Sequence, residues 1–330
     1  MRAGSWTRCP VPERVDVSTL GEAMLRLSVR PGDRLVDAPA YHVHVGGSEA
    51  NVAYALARVG VTSAWASVLP RNRIGERVAA TLRAGGVDLS GVVWTDSGRV
   101  GTYFVELASE PRSPSVVYDR AGSAICGATP DLFDWDVVCA AKAFHVSGIT
   151  FGLSPGTLEV GRTAVREARG RGCRVSLDVN YRTLLWPRAA AAQALRGLRG
   201  ALDLVICTSE DARDVFGLAG EAEELARGLQ KQLDCPAAAV TIGPQGAVLA
   251  QGDTLARRPA IPVQAVDRIG AGDAFTAGLL WGWLDGDLEA GLERGIAMAS
   301  LKMTLHGDLF TLGADDVRRV LEGKNRGVHR

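Results

Sequence analysis

The period of the hydrophobic pattern changes along the chain. Val15–Leu20 is a short, mostly apolar run that stops at Gly21-Glu22, which predicts a strand. Alternation follows through residues 23–45, in Met24-Leu25-Arg26-Leu27-Ser28-Val29 and Tyr41-His42-Val43-His44-Val45, with Pro31-Gly32-Asp33 as a turn between them. It returns in residues 101–107 and 115–118. Period-two segments present one polar and one apolar face. The segments near 23–45 and 97–119 are therefore expected to pair into one small sheet.

The rest of the chain reads differently. After Gly46-Gly47-Ser48-Glu49-Ala50-Asn51, the residues Val52, Leu56 and Val59 recur at helical spacing until Gly60. A strand over 61–69, a helix over 74–84 and an extended run through Trp94 come next. From 130 onward, apolar strands at 143–147, 174–178, 203–207 and 237–242 are separated by helices near 155–169, 188–199 and 209–232. Helices at 287–304 and 314–322 close the chain. Buried runs between amphipathic helices predict βαβ units and a mostly parallel sheet covered on both faces. Right-handed crossovers then line up the strand C-terminal ends along one edge, where ligands bind.

Length and charge narrow the partners. At 330 residues the chain can hold two domains, or one α/β domain with an insertion. Lys+Arg and Asp+Glu both number 37, so there is no basic excess of the kind nucleic-acid binding needs. Residues 1–14 carry charges and prolines without an apolar signal core and are expected to form a loose N-terminal extension ahead of one unit over 15–330. No apolar run reaches membrane-spanning length, so no membrane partner is expected. Cys9, Cys126, Cys139, Cys173, Cys207 and Cys235 lack metal-ligand spacing, and a chain of this size needs no disulfide framework. Reduced thiols in a cytoplasmic protein are the expectation. His42 and His44 share a strand face, but no third ligand accompanies them, so a metal site there is not expected.

The most informative stretch runs from Asp267 through Arg268-Ile269-Gly270-Ala271-Gly272-Asp273 into an apolar helix ending near Trp283. Gly270 and Gly272 allow a tight turn with N–H groups close to a ligand. The first helical turn that follows has unpartnered N–H groups and a partial positive charge, which together suit a phosphate. Asp273 would repel that phosphate, unless it faces a hydroxyl that must lose its proton while the N–H groups hold the phosphoryl group under attack. A plain glycine turn with an Asp in the first helical turn is the alternative. Polar residues also collect at three strand ends, in 177–182, 208–211 and 241–246. Their convergence on one sheet edge is what a binding crevice requires.

Gly270-Ala-Gly-Asp273-Ala-Phe resembles the C-terminal signature of the ribokinase-like (PfkB) carbohydrate kinases, and Gly46-Gly47 with Asn51 is similar to their N-terminal sugar-binding signature. The resemblance implies a ribokinase-like α/β fold with a small β-sheet lid that keeps water from ATP. It implies Asp273 as catalytic base, the amides of Gly270, Ala271 and Gly272 as anion hole, and Gly46, Gly47 and Asn51 at the sugar. ATP and Mg²⁺ are the implied cofactors, and a monovalent cation is left open. Thr241, Gly243 and Gly246 match the nucleotide-binding segment by position. Thr208-Ser-Glu-Asp211 stands where the family has Asn-x-x-Glu, so Thr208 is placed at ATP and Asp211 indirectly at the metal, through water. Both depart from the family pattern, as does Arg268, which stands where a Thr is common.

Tyr118-Asp-Arg120-Ala-Gly-Ser-Ala, His145-Val-Ser-Gly-Ile149-Thr and Leu177-Asp-Val-Asn-Tyr-Arg182 look like the 2-keto-3-deoxygluconate kinase branch of that family. The likeness implies that Tyr118, Arg120 and Arg182 engage an acidic sugar, with Tyr103, Ile149 and Asp308 beside it. The implied product is 2-keto-3-deoxy-6-phosphogluconate. A kinase for fructose, ribose or another deoxy-keto sugar acid is the alternative within the family. A non-enzymatic sugar sensor is a further one. A nucleotide-dependent dehydrogenase is disfavoured, because no Gly-x-Gly-x-x-Gly follows the first strand. An exposed lid sheet can pair with another subunit, so a homodimer or larger assembly is expected.

Overall fold

The computed structural model describes residues 14–108 and 111–323. The expected N-terminal extension, apart from Arg14, and Cys9 lie outside the described residues. The chain opens with β1 (Val15–Leu20), then β2 (Met24–Ser28) and β3 (His42–Gly46), which leads straight into helix α1 (Ser48–Arg58). Next come β4 (Ser63–Pro70), α2 (Arg73–Ala84), β5 (Val92–Thr95), β6 (Gly101–Glu106) and β7 (Ser115–Asp119). The short helix α3 (Trp135–Val138) precedes β8 (Ala141–Ser147), α4 (Gly148–Gly152), α5 (Pro155–Gly170), β9 (Arg174–Asp178) and α6 (Arg188–Arg196). Then follow β10 (Leu204–Thr208), α7 (Ser209–Phe216), α8 (Ala222–Leu233), β11 (Ala237–Thr241), β12 (Ala247–Gln251) and β13 (Thr254–Arg258). Helices α9 (Ala271–Leu284), α10 (Leu288–Lys302) and α11 (Ala314–Leu321) end the fold.

Nine strands form the large sheet in the order β13-β12-β11-β10-β9-β8-β1-β4-β5. Strands from β5 across to β11 are parallel, and β12 and β13 are antiparallel to their neighbours. Each of the eight residues of β4 is buried, as expected where helices cover both faces. One core layer gathers around Phe144, Leu177 and Val205, and the opposite layer around Val17, Leu279 and Leu292. β1 has β4 on one side and β8 on the other. From β1 the chain moves on to β4 and from β8 to β9, in opposite directions along the sheet, which opens a crevice at the carboxyl ends of β1 and β8.

The small sheet runs β3-β2-β6-β7, so the two alternating segments pair as expected. Two elements differ from the sequence pattern. A single helix was expected over 209–232, but α7 stops at Gly217, whose φ of 67° takes the left-handed cap, and α8 starts anew at Ala222. The β12–β13 hairpin was not expected. It turns at Gly252-Asp253, with Gly252 at a φ of 51°, a dipeptide suited to a two-residue hairpin loop. Gly278 and Gly282, which look like helix breakers, are packing positions. A Cβ on Gly278 would stand 2.5 Å from the Gly295 nitrogen, and one on Gly282 would run into Gly291. Their absence lets α9 and α10 approach backbone to backbone, which seats the start of α9 against the sheet edge.

Candidate active site

Asp273 lies in the first turn of α9, half-buried at the crevice. Its Oδ1 accepts from Ser48 Oγ at 2.9 Å and its Oδ2 from Asn51 Nδ2 at 2.7 Å. Ser48 and Asn51 are three residues apart on α1, so one helix face aims both donors. Asn180 Nδ2 in turn donates to Ser48 Oγ at 2.9 Å. Asn180 holds a φ of 38°, a strained conformation for a residue other than glycine. Burial raises the Asp273 pKa above the usual carboxylate value, and the hydrogen bonds from Asn51 and Ser48 oppose the rise. The result is a carboxylate fixed in direction with a strengthened hold on a proton.

Gly270 caps α9 in the left-handed region, with a φ of 85°. A side chain there would also clash with the Asp308 carbonyl. Of the three amides assigned to the anion hole, Ala271 N–H turns back to the Arg268 carbonyl at 3.2 Å. The Gly270 and Gly272 N–H groups have no protein acceptor among the described residues. Gly272 is exposed, and a Cβ on it would meet open space. Two of the three amides are therefore free for an anion.

The lid joins this turn through a buried charge network. His44, Arg26, Tyr103 and Tyr118 stand in one cross-strand row on β3, β2, β6 and β7. Arg26 is buried and pairs with Asp267 at 2.7 Å and Asp308 at 2.9 Å. The Tyr103 hydroxyl donates to the other oxygen of Asp308, and Tyr118 stacks on Tyr103 with ring centroids 5.6 Å apart. Both Asp308 oxygens are thus engaged, and in this structure Tyr103 and Asp308 tie lid to α9 turn rather than present free polar groups. Gly46 fits the same network, since a Cβ there would strike Asp308 and the Tyr103 hydroxyl. Gly47 lets the chain pass the Glu22 carbonyl, and its N–H donates to Asn51 Oδ1 at 3.2 Å.

Between the lid and the end of β9 lies a cleft of about 640 Å³. Tyr118, Arg120, Leu153, Arg182 and Leu184 are among its lining. The two arginines differ. Arg120 is bound to the buried carboxylate of Glu22, through Nε at 2.8 Å and through Nη2. Arg182 is exposed, donates to the Tyr181 carbonyl at 3.2 Å, and has no carboxylate within ion-pair distance among the described residues. Arg182 is the guanidinium available to an anionic ligand. Ile149, half-buried in α4, stands outside that lining.

Thr208 and Thr241 face each other in register at the ends of β10 and β11. Thr208 Oγ1 caps α7 by accepting from the Asp211 N–H at 3.0 Å, and Asp211 Oδ2 accepts from Tyr181 N–H at 3.2 Å. Gly243 and Gly246 have φ values of 54° and 102°. A Cβ on Gly246 would collide with the Arg258 carbonyl, so this glycine answers to the β13 backbone, whereas Gly243 borders open space. Burial raises the pKa of Asp178 far above its usual range, with the Asp273 charge adding to it, and burial raises that of Asp211. Among the described residues no cluster of three His, Cys, Asp or Glu forms a ready metal cage. Mg²⁺ commonly keeps its waters and takes only one or two carboxylates beside phosphate oxygens. Asp178, which feels the charges of both Asp273 and Asp211, and Asp211 itself fit that mode of binding.

Several of these residues escaped the sequence assignment. Ser48 could have been found from its spacing to Asn51 on one helix, and Asp178 and Asn180 from their place at a strand end. Arg26 and Glu22 gave no local signal. Glu49 is fully buried, and its Oε1 accepts from Ser147 N–H at 2.9 Å and from Ser147 and Thr150 hydroxyls at 2.7 Å. It pins α1 to the end of β8 and so sets the position of Ser48 and Asn51.

The profile of pfkB family carbohydrate kinases matches residues 15–313. A 2-dehydro-3-deoxygalactonokinase of Haloferax volcanii is 38% identical over 316 residues, 96% of this chain and 99% of the relative. A 2-dehydro-3-deoxygluconokinase of Thermoproteus tenax is 29% identical, over 91% of each chain. Among solved structures, that of 2-dehydro-3-deoxygluconokinase from Thermotoga maritima superposes with a TM-score of 0.87 at 31% identity, covering 94% of this chain and 99% of the other.

Proposed function

The chain belongs to the pfkB family of carbohydrate kinases, and from that premise we propose that it phosphorylates a 2-keto-3-deoxy sugar acid at the expense of ATP. The observation that carries the proposal is the Asp273 carboxylate, held by Ser48 and Asn51 beside the free Gly270 and Gly272 amides. A sugar hydroxyl placed against Asp273 gives up its proton to the carboxylate as its oxygen attacks the γ-phosphorus. The two amides, at the positive end of α9, stabilise charge on the transferred group. Asp178 and Asp211 would hold Mg²⁺, which supplies charge neutralisation at the phosphates when bound. Thr208, Thr241 and Gly243 stand at the strand ends on the nucleotide side. The lid row of Tyr103 and Tyr118 excludes water from the reacting atoms.

Arg182 supports an acid as the substrate class. Its guanidinium faces the cleft without an ion-pair partner among the described residues, and it offers paired donors that match a carboxylate. The acceptor proposed first is 2-keto-3-deoxygluconate, giving 2-keto-3-deoxy-6-phosphogluconate. A second reading, the galactonate epimer, is favoured by the name and the 38% identity of the Haloferax relative. ATP turnover against a panel of both epimers, fructose and ribose tests the proposal. Turnover is expected with one or both acids. Turnover confined to the neutral sugars would leave a kinase of another substrate class, and no turnover with any of them would remove the kinase reading.

A further inference from the structure

Lys302, the last residue of α10, is fully buried, with no exposed surface. A buried ammonium normally finds a carboxylate, because a lone charge is costly away from water. Here no carboxylate oxygen among the described residues lies within ion-pair distance of it. Its Nζ donates instead to two main-chain carbonyls, those of Asp267 at 3.2 Å and Leu305 at 3.5 Å. Asp267 opens the turn that carries Gly270 and Gly272. The same residue receives the Ile269 N–H at 3.1 Å, the Gly307 N–H at 3.1 Å and Arg26 at 2.7 Å through its side chain. The Asp267 N–H also reaches the Met303 carbonyl at 3.1 Å, so the two loops are stitched on both sides of the ammonium. Burial pulls the Lys302 pKa down, while the charges of Asp267, Asp308 and Asp273 oppose that pull.

A fixed cation on carbonyl oxygens behind an anion hole does two things. It orients the peptide groups of the turn, and it adds positive potential where phosphate charge gathers. A dehydrated monovalent ion bound to carbonyls could do the same. We infer that Lys302 is a positioning residue for the Gly270–Gly272 turn, and that its ammonium occupies the place of a monovalent cation, so that turnover needs neither K⁺ nor Na⁺. The inference rests on the kinase reading above.

The test compares the parent with two variants in potassium, sodium and tetramethylammonium chloride at equal ionic strength, which keeps screening constant. Parent kcat is expected to be the same in all three salts. Lys302→Ala vacates the carbonyls and should lose about 10- to 100-fold in kcat, the scale of a misplaced catalytic geometry. Potassium or methylammonium should then restore part of the rate. Either ion should raise the Tm of that variant more than tetramethylammonium does, as a ligand of the folded state. Lys302→Met fills the space with an uncharged chain and should stay impaired in every salt. Potassium stimulation of the parent would overturn the inference, as would full activity of Lys302→Ala in tetramethylammonium chloride. If Lys302→Ala does not fold, the salt response of the parent decides alone. A parent inactive in all salts would instead count against the kinase reading.

Discussion

Asn51 Nδ2 donates to Asp273 Oδ2 at 2.7 Å across 222 positions of sequence. The bond joins the first turn of α1 to the first turn of α9, so the proposed base and its orienting donors come from distant stretches of the chain. Asp273→Asn keeps the shape of this contact but cannot accept a proton. Loss of a general base costs about 10²- to 10⁴-fold. A fall in kcat of that size is expected, with ATP binding retained by calorimetry. Near-parental turnover would show that Asp273 is not the base.

Ser48 adds a prediction about pH. Its hydroxyl stabilises the ionised form of Asp273 against the burial that disfavours it. A base must be ionised to act, so the acid limb of kcat/KM should lie above the ordinary Asp range. Ser48→Ala removes a donor to the carboxylate and raises the Asp273 pKa further. Its acid limb should therefore move to higher pH, while the rate at alkaline pH recovers toward the parent. An unmoved limb in the variant would detach Ser48 from the titrating group.

Asp178 tests the cost of assembling acids at the site. Its folded pKa is raised by burial and by Asp273, so ionising it is harder in the native state than in the unfolded chain. Such a group binds more protons when folded, and stability falls as pH rises from its unfolded pKa through its folded one. Asp178→Asn escapes this penalty. The variant should melt above the parent at pH 7 to 8, by roughly 2 °C for each kcal/mol gained in a chain of this size. The gap should close below about pH 4, where the parent group is protonated in both states. Activity is expected to fall as stability rises, the usual trade at functional sites. A lower Tm for the variant at neutral pH would mean that the Asp178 carboxylate stabilises the fold.

The motifs at Gly46-Gly47, Asn51 and Gly270–Asp273 were legible because each is local: glycines, a helix start and a polar residue within a few positions. The alternating segments of the lid and the apolar strands were legible for the same reason. The network that binds lid to turn was not. Arg26 looks like one polar residue in a strand of alternating type, and its partner Asp308 is 282 positions away. Arg120 read as a free guanidinium because nothing in the local sequence points to Glu22, 98 positions earlier. Of the two arginines assigned to the sugar acid, one is therefore already neutralised within the protein. The break between α7 and α8 rests on one left-handed glycine, which an apolar pattern of helical period hides.

The lid makes a prediction about exchange. Arg26 and Tyr103 already fasten β2 and β6 to Asp267 and Asp308. β7 is exposed along nearly its whole length, and Tyr118 is 40% exposed. Saturating sugar acid should slow amide exchange most in β7 and the turn to Ser123, and less in β2 and β6. Unchanged exchange in β7 with substrate demonstrably bound would count against closure by this strand.

The central claim is that the cleft is built for a sugar carboxylate and that Arg182 receives it. Arg120→Ala serves as the contrast, because it strands Glu22 and should cost stability and activity on any sugar. A charged hydrogen bond lost in a closed site costs about 1.5–3 kcal/mol. That corresponds to roughly ten- to a hundredfold in kcat/KM. The deciding measurement is kcat/KM for 2-keto-3-deoxygluconate, its galactonate epimer and fructose, in the parent and in Arg182→Ala. The parent should prefer an acid over fructose, and Arg182→Ala should lose that tenfold or more on the acid while its residual activity on fructose stays near the parental value. Equal losses on acid and fructose, or a parent that favours fructose, would contradict the claim.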